Sequence, residues 1–306
     1  MRWKRGGSSD SHDVIDQRGS RGGFSRLPGG LGAQAGGGLG LVGVIIFILI
    51  SVIGGGGVGG SNGGSGSFNV PGFGPDARST QQGADPIPAS LDPDKELREF
   101  SAFVFTDVQD AWTQIFADAG SDYRRAKLVL YTAGVNTGGC GSASSAVGPF
   151  YCPADERVYI DLSFYAQMRE QLGAAGDFAW AYVIAHELGH HVQNLTGTSA
   201  RVRQLQNQDS DQANALSVRL ELQADCYAGV WGQSAFREGQ LESGDLEEGL
   251  GAAAAVGDDR LQGGGGGTID QDSFTHGSSD QRVRWFRAGF DSGDPGACDT
   301  FSVNEV

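Results

Sequence analysis

Ile184-Ala185-His186-Glu187-Leu188-Gly189-His190-His191 holds three of the five histidines in a chain of 306 residues, with a glutamate lodged between them. On a helix, positions 186 and 190 lie one turn apart on one face, so both imidazoles can converge on a single ion. Glu187 sits beside them, within reach of a water at that ion rather than as a ligand. This is the H-E-x-x-H pattern, two metal ligands and a general base from one helical turn. Asp177 serves as an N-cap, and Gly197 follows as a stop. Phe178, Ala181, Tyr182, Ile184, Ala185, Leu188 and Val192 supply a broad apolar surface between them. The bland alternative is a polar face with satisfied core histidines. A helix this apolar is buried, however, and a buried helix does not ordinarily carry three histidines and a glutamate.

Two histidines do not complete a catalytic zinc site, which needs a third protein ligand and an open position for water. Beyond Gly197 a polar connection leads to Ser210-Asp211 and a long helical stretch through Phe236. It contains Glu221-Leu-Gln-Ala-Asp225-Cys-Tyr-Ala-Gly229. Glu221 and Asp225 are one turn apart, so both carboxylates face the same way. Glu221 is the candidate third ligand, and Asp225 the candidate acceptor for the outer N–H of a ligating histidine. A solvated acidic face is the alternative, and Leu220, Leu222, Ala224 and Tyr227 weigh against it. His191 points elsewhere on its helix and reads as structural, while Cys226 lies off the shared carboxylate face. Ser243 opens another helix, and Ser278 with Gln281 forms a capping box for a last one. His276 stands just ahead of that last helix. Two readings stay open for it: a hydrogen-bond donor to a developing oxyanion, or a turn histidine bonding backbone.

The fold class expected is α+β, a mainly helical domain with a small β-sheet. Glu96–Ala119 has apolar residues at helical spacing, Lys127–Tyr131 and Arg157–Leu162 read as strands, and Ser163–Leu172 as a helix. A strand beside an H-E-x-x-H helix commonly binds an extended substrate by its edge; a plain core strand is the equal alternative for Arg157–Leu162. Many of the 51 glycines fall in residues 29–66 and 263–267, which read as linker or loop. The formal charge of −15 is uneven. Residues 1–26 carry six basic and three acidic side chains, residues 27–75 none, and the remainder 16 basic and 34 acidic. So acidic a body argues against nucleic acid as a partner. The uncharged stretch includes Leu39–Ile53, an apolar core of 15 residues whose uncharged glycine-rich flanks make up the length of a membrane span. A single anchor is favoured over a cleavable signal peptide, and the basic residues before it place that end in the cytoplasm. The expected organisation is a cytoplasmic basic tail (1–30), a transmembrane anchor (31–60), a flexible linker (61–91) and one catalytic domain (92–306). That predicts a single-pass protein of the cell membrane with its catalytic domain outside.

Cys140 and Cys152 bracket a loop of small residues and read as a local disulfide, contributing on the order of 3 kcal/mol. Cys226 and Cys298 remain as a second pair, although sequence alone does not fix connectivity. With these residues assembled, the chain resembles the neutral zinc metallopeptidase family of bacterial membrane-anchored proteins. The likeness runs from Met1-Arg2-Trp3 through Gly148-Pro-Phe-Tyr-Cys-Pro153 and Val158-Tyr-Ile-Asp-Leu162. It continues through the histidine helix, Glu221-Leu-Gln-Ala-Asp225 and Arg282-Val-Arg-Trp-Phe286. The resemblance implies a gluzincin-like peptidase with one Zn2+ per chain, held by His186, His190 and Glu221, and with Glu187 as base. A peptide or protein would be its substrate. Two rivals stand beside it: a membrane-tethered binding protein with a structural zinc, and a zinc amidase acting on a cell-wall amide. Intact Glu187 weighs against the first, since a structural site needs no base.

Overall fold

Apolar residues recur at helical spacing along most of the folded chain, and they build a helical layer around one short sheet. The computed structural model describes residues 1–3, 12–19, 91–264 and 269–306. In chain order the elements are β1 (Val14–Asp16), α1 (Lys95–Asp118), β2 (Lys127–Tyr131), β3 (Gly134–Asn136), β4 (Ser142–Ser144), β5 (Phe150–Cys152) and β6 (Arg157–Asp161). Helices follow: α2 (Ser163–Gln171), α3 (Asp177–Leu195), α4 (Thr198–Gln208), α5 (Ala213–Arg237), α6 (Asp245–Ala255), α7 (Asp258–Gly263) and α8 (Ser279–Ser292). The expected α+β class, mainly helical with a small sheet, describes this body.

The main sheet has the order β1-β2-β6-β5, with β1, β2 and β6 parallel and β5 antiparallel to β6. The two-residue alternation of strands sorts its side chains between two layers. Leu128, Leu130, Val158 and Ile160 join the helical core, whereas Val129, Tyr131 and Tyr159 face a satellite cluster with Val135 and Ala143 of the β3–β4 hairpin. Strands buried on both faces are near-continuous apolar runs, which is how β2 and β6 were legible. The sheet decides between the two readings of Arg157–Leu162: Arg157–Asp161 is a core strand flanked by β2 and β5, and among the described residues β5 is the edge on that side.

The helical layer centres on α3, α5 and α8. Helices α5 and α8 cross at glycine: a Cβ on Gly229 would collide with the Phe286 carbonyl oxygen, and one on Gly289 with that of Cys226. The bonded pairs are Cys140–Cys152 and Cys226–Cys298, the latter tying the C-terminal segment to α5.

The expected transmembrane helix is not supported. Among the described residues no helix is long and apolar enough to cross a membrane. The 31–60 stretch expected to do so, and the linker up to residue 90, lie outside them. The described parts of the tail give a second reason. Val14–Asp16 pairs in register with Leu128–Leu130, and Trp3 packs against Phe100 with ring centroids 5.4 Å apart. Arg18 binds Asp92 at the edge of the domain, Nη2 to Oδ2 2.7 Å. A single crossing between tail and domain would part surfaces that here form one body. The placement of the tail in the cytoplasm with the domain outside is corrected on the same grounds.

Candidate metal centre

Helix α3 starts one residue earlier than its sequence suggests. Gly176 is the N-cap, and Asp177 occupies the first turn. Glu248 from α6 accepts the Phe178 N–H at 3.1 Å, supplying the cap from outside the helix. The helix then buries nearly every residue from Phe178 to Gln193, His186 and Glu187 included. At Gly189 it meets α5 so closely that a Cβ would stand 3.0 Å from the Ala224 Cα and carbonyl oxygen. Glycine permits this approach without moving α5, and the approach sets the two histidines against Glu221.

His186 Nε2 lies 3.2 Å from Glu221 Oε2, and His190 Nε2 lies 3.2 Å from Glu221 Oε1. The three ligand atoms are within 4.8 Å of one another. Each ring is held by its other nitrogen. His186 Nδ1 is 2.8 Å from Asp225 Oδ1, and His190 Nδ1 is 2.9 Å from Gln193 Oε1. Both partners are acceptors, so each neutral ring carries its proton on Nδ1 and turns its Nε2 lone pair inward. Two imidazole nitrogens and a carboxylate oxygen, converging on one point, are a donor set that fits zinc.

Below the rings lies a charge network that sequence reasoning did not assemble. Arg282 from α8 donates to Asp225 twice, Nε to Oδ2 at 2.8 Å and Nη2 to Oδ1 at 2.9 Å. Tyr182 Oη donates to the same Oδ1 at 2.6 Å and receives Arg282 Nη2 at 3.2 Å. All three side chains are buried. Burial alone would raise the Asp225 carboxyl, but Arg282 and His186 outweigh it and hold it below the usual range. Burial lowers the His186 ring, and Asp225 with Glu221 more than reverses this, raising it to about 10. His190 is raised too, against burial, chiefly by Glu221. A ligating ring must be neutral, so metal and proton compete for these nitrogens. Burial pushes the Glu187 carboxyl up, although His186 and His190 pull against it.

His276 lines the same cavity as His186, Glu187, His190, Glu221 and Arg282. Its Nδ1 is 3.2 Å from Asp258 Oδ1, while Asp258 Oδ2 accepts the backbone N–H groups of Thr275, His276 and Gly277. The turn's backbone is therefore satisfied by Asp258, and the His276 ring is held at Nδ1 by Asp258 and by Thr275 Oγ1 at 3.0 Å. His191 behaves as expected of a structural residue: it is fully buried between Tyr151 Oη at 2.9 Å and the Arg124 carbonyl at 2.6 Å. Cys226 is in its disulfide and out of the donor set. The Ser278–Gln281 capping box is present at the start of α8.

The sequence profile of the family described as "Putative neutral zinc metallopeptidase" matches residues 1–301. The chain belongs to that family. It is 49% identical over 308 residues to the uncharacterized protein YpfJ of Escherichia coli strain K12, spanning 98% of this chain and 99% of that one. It is 46% identical over 195 residues to the uncharacterized protein Rv2575 of Mycobacterium tuberculosis strain H37Rv, covering 60% of this chain and 65% of that one. No solved structure matches.

Proposed function

We propose that this member of the family is a zinc-dependent peptidase that holds one zinc on His186, His190 and Glu221 and uses Glu187 as its general base. The observation that carries the reading is the convergence of three ligand atoms within 4.8 Å, beside a buried glutamate that ligates nothing. Zinc in such a site acidifies water and polarises a carbonyl. Glu187, raised by burial, takes the proton from the attacking water and returns it to the leaving amine. Asp225 fixes the His186 tautomer, and Arg282 and Tyr182 fix Asp225. His276 lines the same cavity and is the candidate donor to the oxygen on which negative charge develops. Strand β5 pairs only with β6 among the described residues and lines the same cavity through Phe150 and Tyr151. Its free edge suits an extended peptide.

The test is turnover of a mixed peptide library by the full chain, with and without chelator, beside Glu187→Gln. The reading expects cleavage that zinc restores after chelation and that Glu187→Gln lacks. Cleavage of cell-wall amides with none of peptides would hand the site to an amidase. Zinc binding with neither activity would leave a binding protein.

A further inference from the structure

Nearly every charge on the cavity wall is matched within the protein. Glu221 is shared by the two imidazoles, and Arg282 is spent on Asp225. His276 has Asp258. Arg203 is different. It lies on α4, one turn after Ser199, and both residues line the cavity. Among the described residues no carboxylate, carbonyl or hydroxyl bonds its guanidinium, and its Nε is buried without a partner. The chain carries 37 acidic residues against 22 basic ones, so an acidic neighbour would be the ordinary outcome for a half-buried arginine. Withdrawing a guanidinium N–H from water without an acceptor is costly, and the cost is recovered when an anion arrives. Val147, Phe150, Phe164 and Val183 give the same cavity apolar lining.

We infer that Arg203 is a specificity determinant that receives a carboxylate of the bound substrate. A planar guanidinium fits a carboxylate through two parallel hydrogen bonds, which a neutral amide does not match. The carboxylate can come from an Asp or Glu side chain or from a free C-terminus, and the chemistry at Arg203 is the same for both. The inference rests on the peptidase reading for the nature of the ligand, and its test separates the two.

Binding is measured by fluorescence anisotropy on the zinc-loaded full chain carrying Glu187→Gln. The probes are short labelled peptides of one apolar sequence. One is neutral and C-terminally amidated. A second series is amidated with a single Glu stepped through each position, and a third is neutral with a free C-terminal carboxylate. At least one carboxylate arm should bind about 10- to 100-fold tighter than the neutral peptide, the range for a charged hydrogen bond. Whichever arm does so names the source. Arg203→Gln in the same background should return that arm to the neutral value, and Arg203→Lys should keep part of the preference. Equal binding of all arms by the parent overturns the inference without any variant having to fold. A preference that survives Arg203→Gln overturns it as well. With Glu187 restored, preference in binding without cleavage of any peptide removes the peptidase reading and leaves Arg203 in place. Cleavage with no carboxylate preference does the reverse.

Discussion

The guanidinium of Arg282 grips the Asp225 carboxylate through both oxygens, at 2.8 and 2.9 Å, and Asp225 in turn holds His186 Nδ1 at 2.8 Å. Arg282 also stands 3.5 Å from His186 Nδ1 and 3.9 Å from Glu221 Oε2, so it bears on the candidate metal centre both directly and through Asp225. Removing a partner that orients a ligand typically costs about 10–100-fold in metal affinity. Asp225→Ala should weaken zinc binding by that range. Arg282→Gln should weaken it too, and lower stability by about 3–5 kcal/mol because the buried Asp225 carboxylate loses the cation that bonds both its oxygens. Zinc titration and denaturant unfolding of both variants check the chain of contacts. Unchanged zinc affinity in Arg282→Gln would cut Arg282 out of it.

Glu187 is buried beside the ligands yet bonds none of them. Glu187→Gln should keep zinc and fold and lose about two to four orders of magnitude in turnover, the usual contribution of a general base. Steady-state cleavage with metal content measured on the same sample decides it. A variant that lost zinc along with activity would make Glu187 a ligand.

The α5–α8 crossing brings Arg282 to Asp225, and it depends on two hydrogen atoms where other residues have a Cβ. Gly229→Ala would drive a methyl into the Phe286 carbonyl, backbone against backbone, with no side chain free to yield. The expected loss is at the upper end of the overpacking range, about 3 kcal/mol, with zinc affinity falling as the crossing opens. Gly251→Ala is the control, since its Cβ meets nothing within 4 Å. Equal stability of the two variants would contradict the packing account.

Asp258 organises the loop that carries His276. Burial would raise its carboxyl, but the His276 side chain and the backbone N–H groups outweigh this and lower it. A depressed folded pKa gives stability that is fully present above the unfolded value, near 4, and is lost as pH falls through the folded one. Denaturant midpoints should therefore fall more steeply below about pH 4 in the parent than in Asp258→Asn. Parallel pH profiles would show that the loop does not depend on this charge.

Much of the site was legible because it repeats at helical spacing. His186 and His190 are four apart, as are Glu221 and Asp225, so one turn of helix predicted both pairs before any fold was known. Arg282 and Asp258 carry no such signal: Arg282 lies 57 residues from Asp225, and Asp258 lies 18 from His276. Only tertiary packing joins them. The strands Lys127–Tyr131 and Arg157–Asp161 showed as apolar runs, but which one formed an edge depended on partners outside them. Val14–Asp16 is three residues long, too short for any period to show, and it becomes a strand only by pairing with Leu128–Leu130. Reading Leu39–Ile53 as a span rested on local hydropathy and charge, which are blind to where the tail docks.

The account turns on Glu221 as the group that completes the metal site. Zinc titration of the full chain against Glu221→Ala, with metal per chain counted on both, addresses it most directly. The account predicts one zinc per parent chain and, in Glu221→Ala, a loss beyond the roughly 100-fold that an orienting residue costs. Unchanged zinc affinity in Glu221→Ala would contradict it.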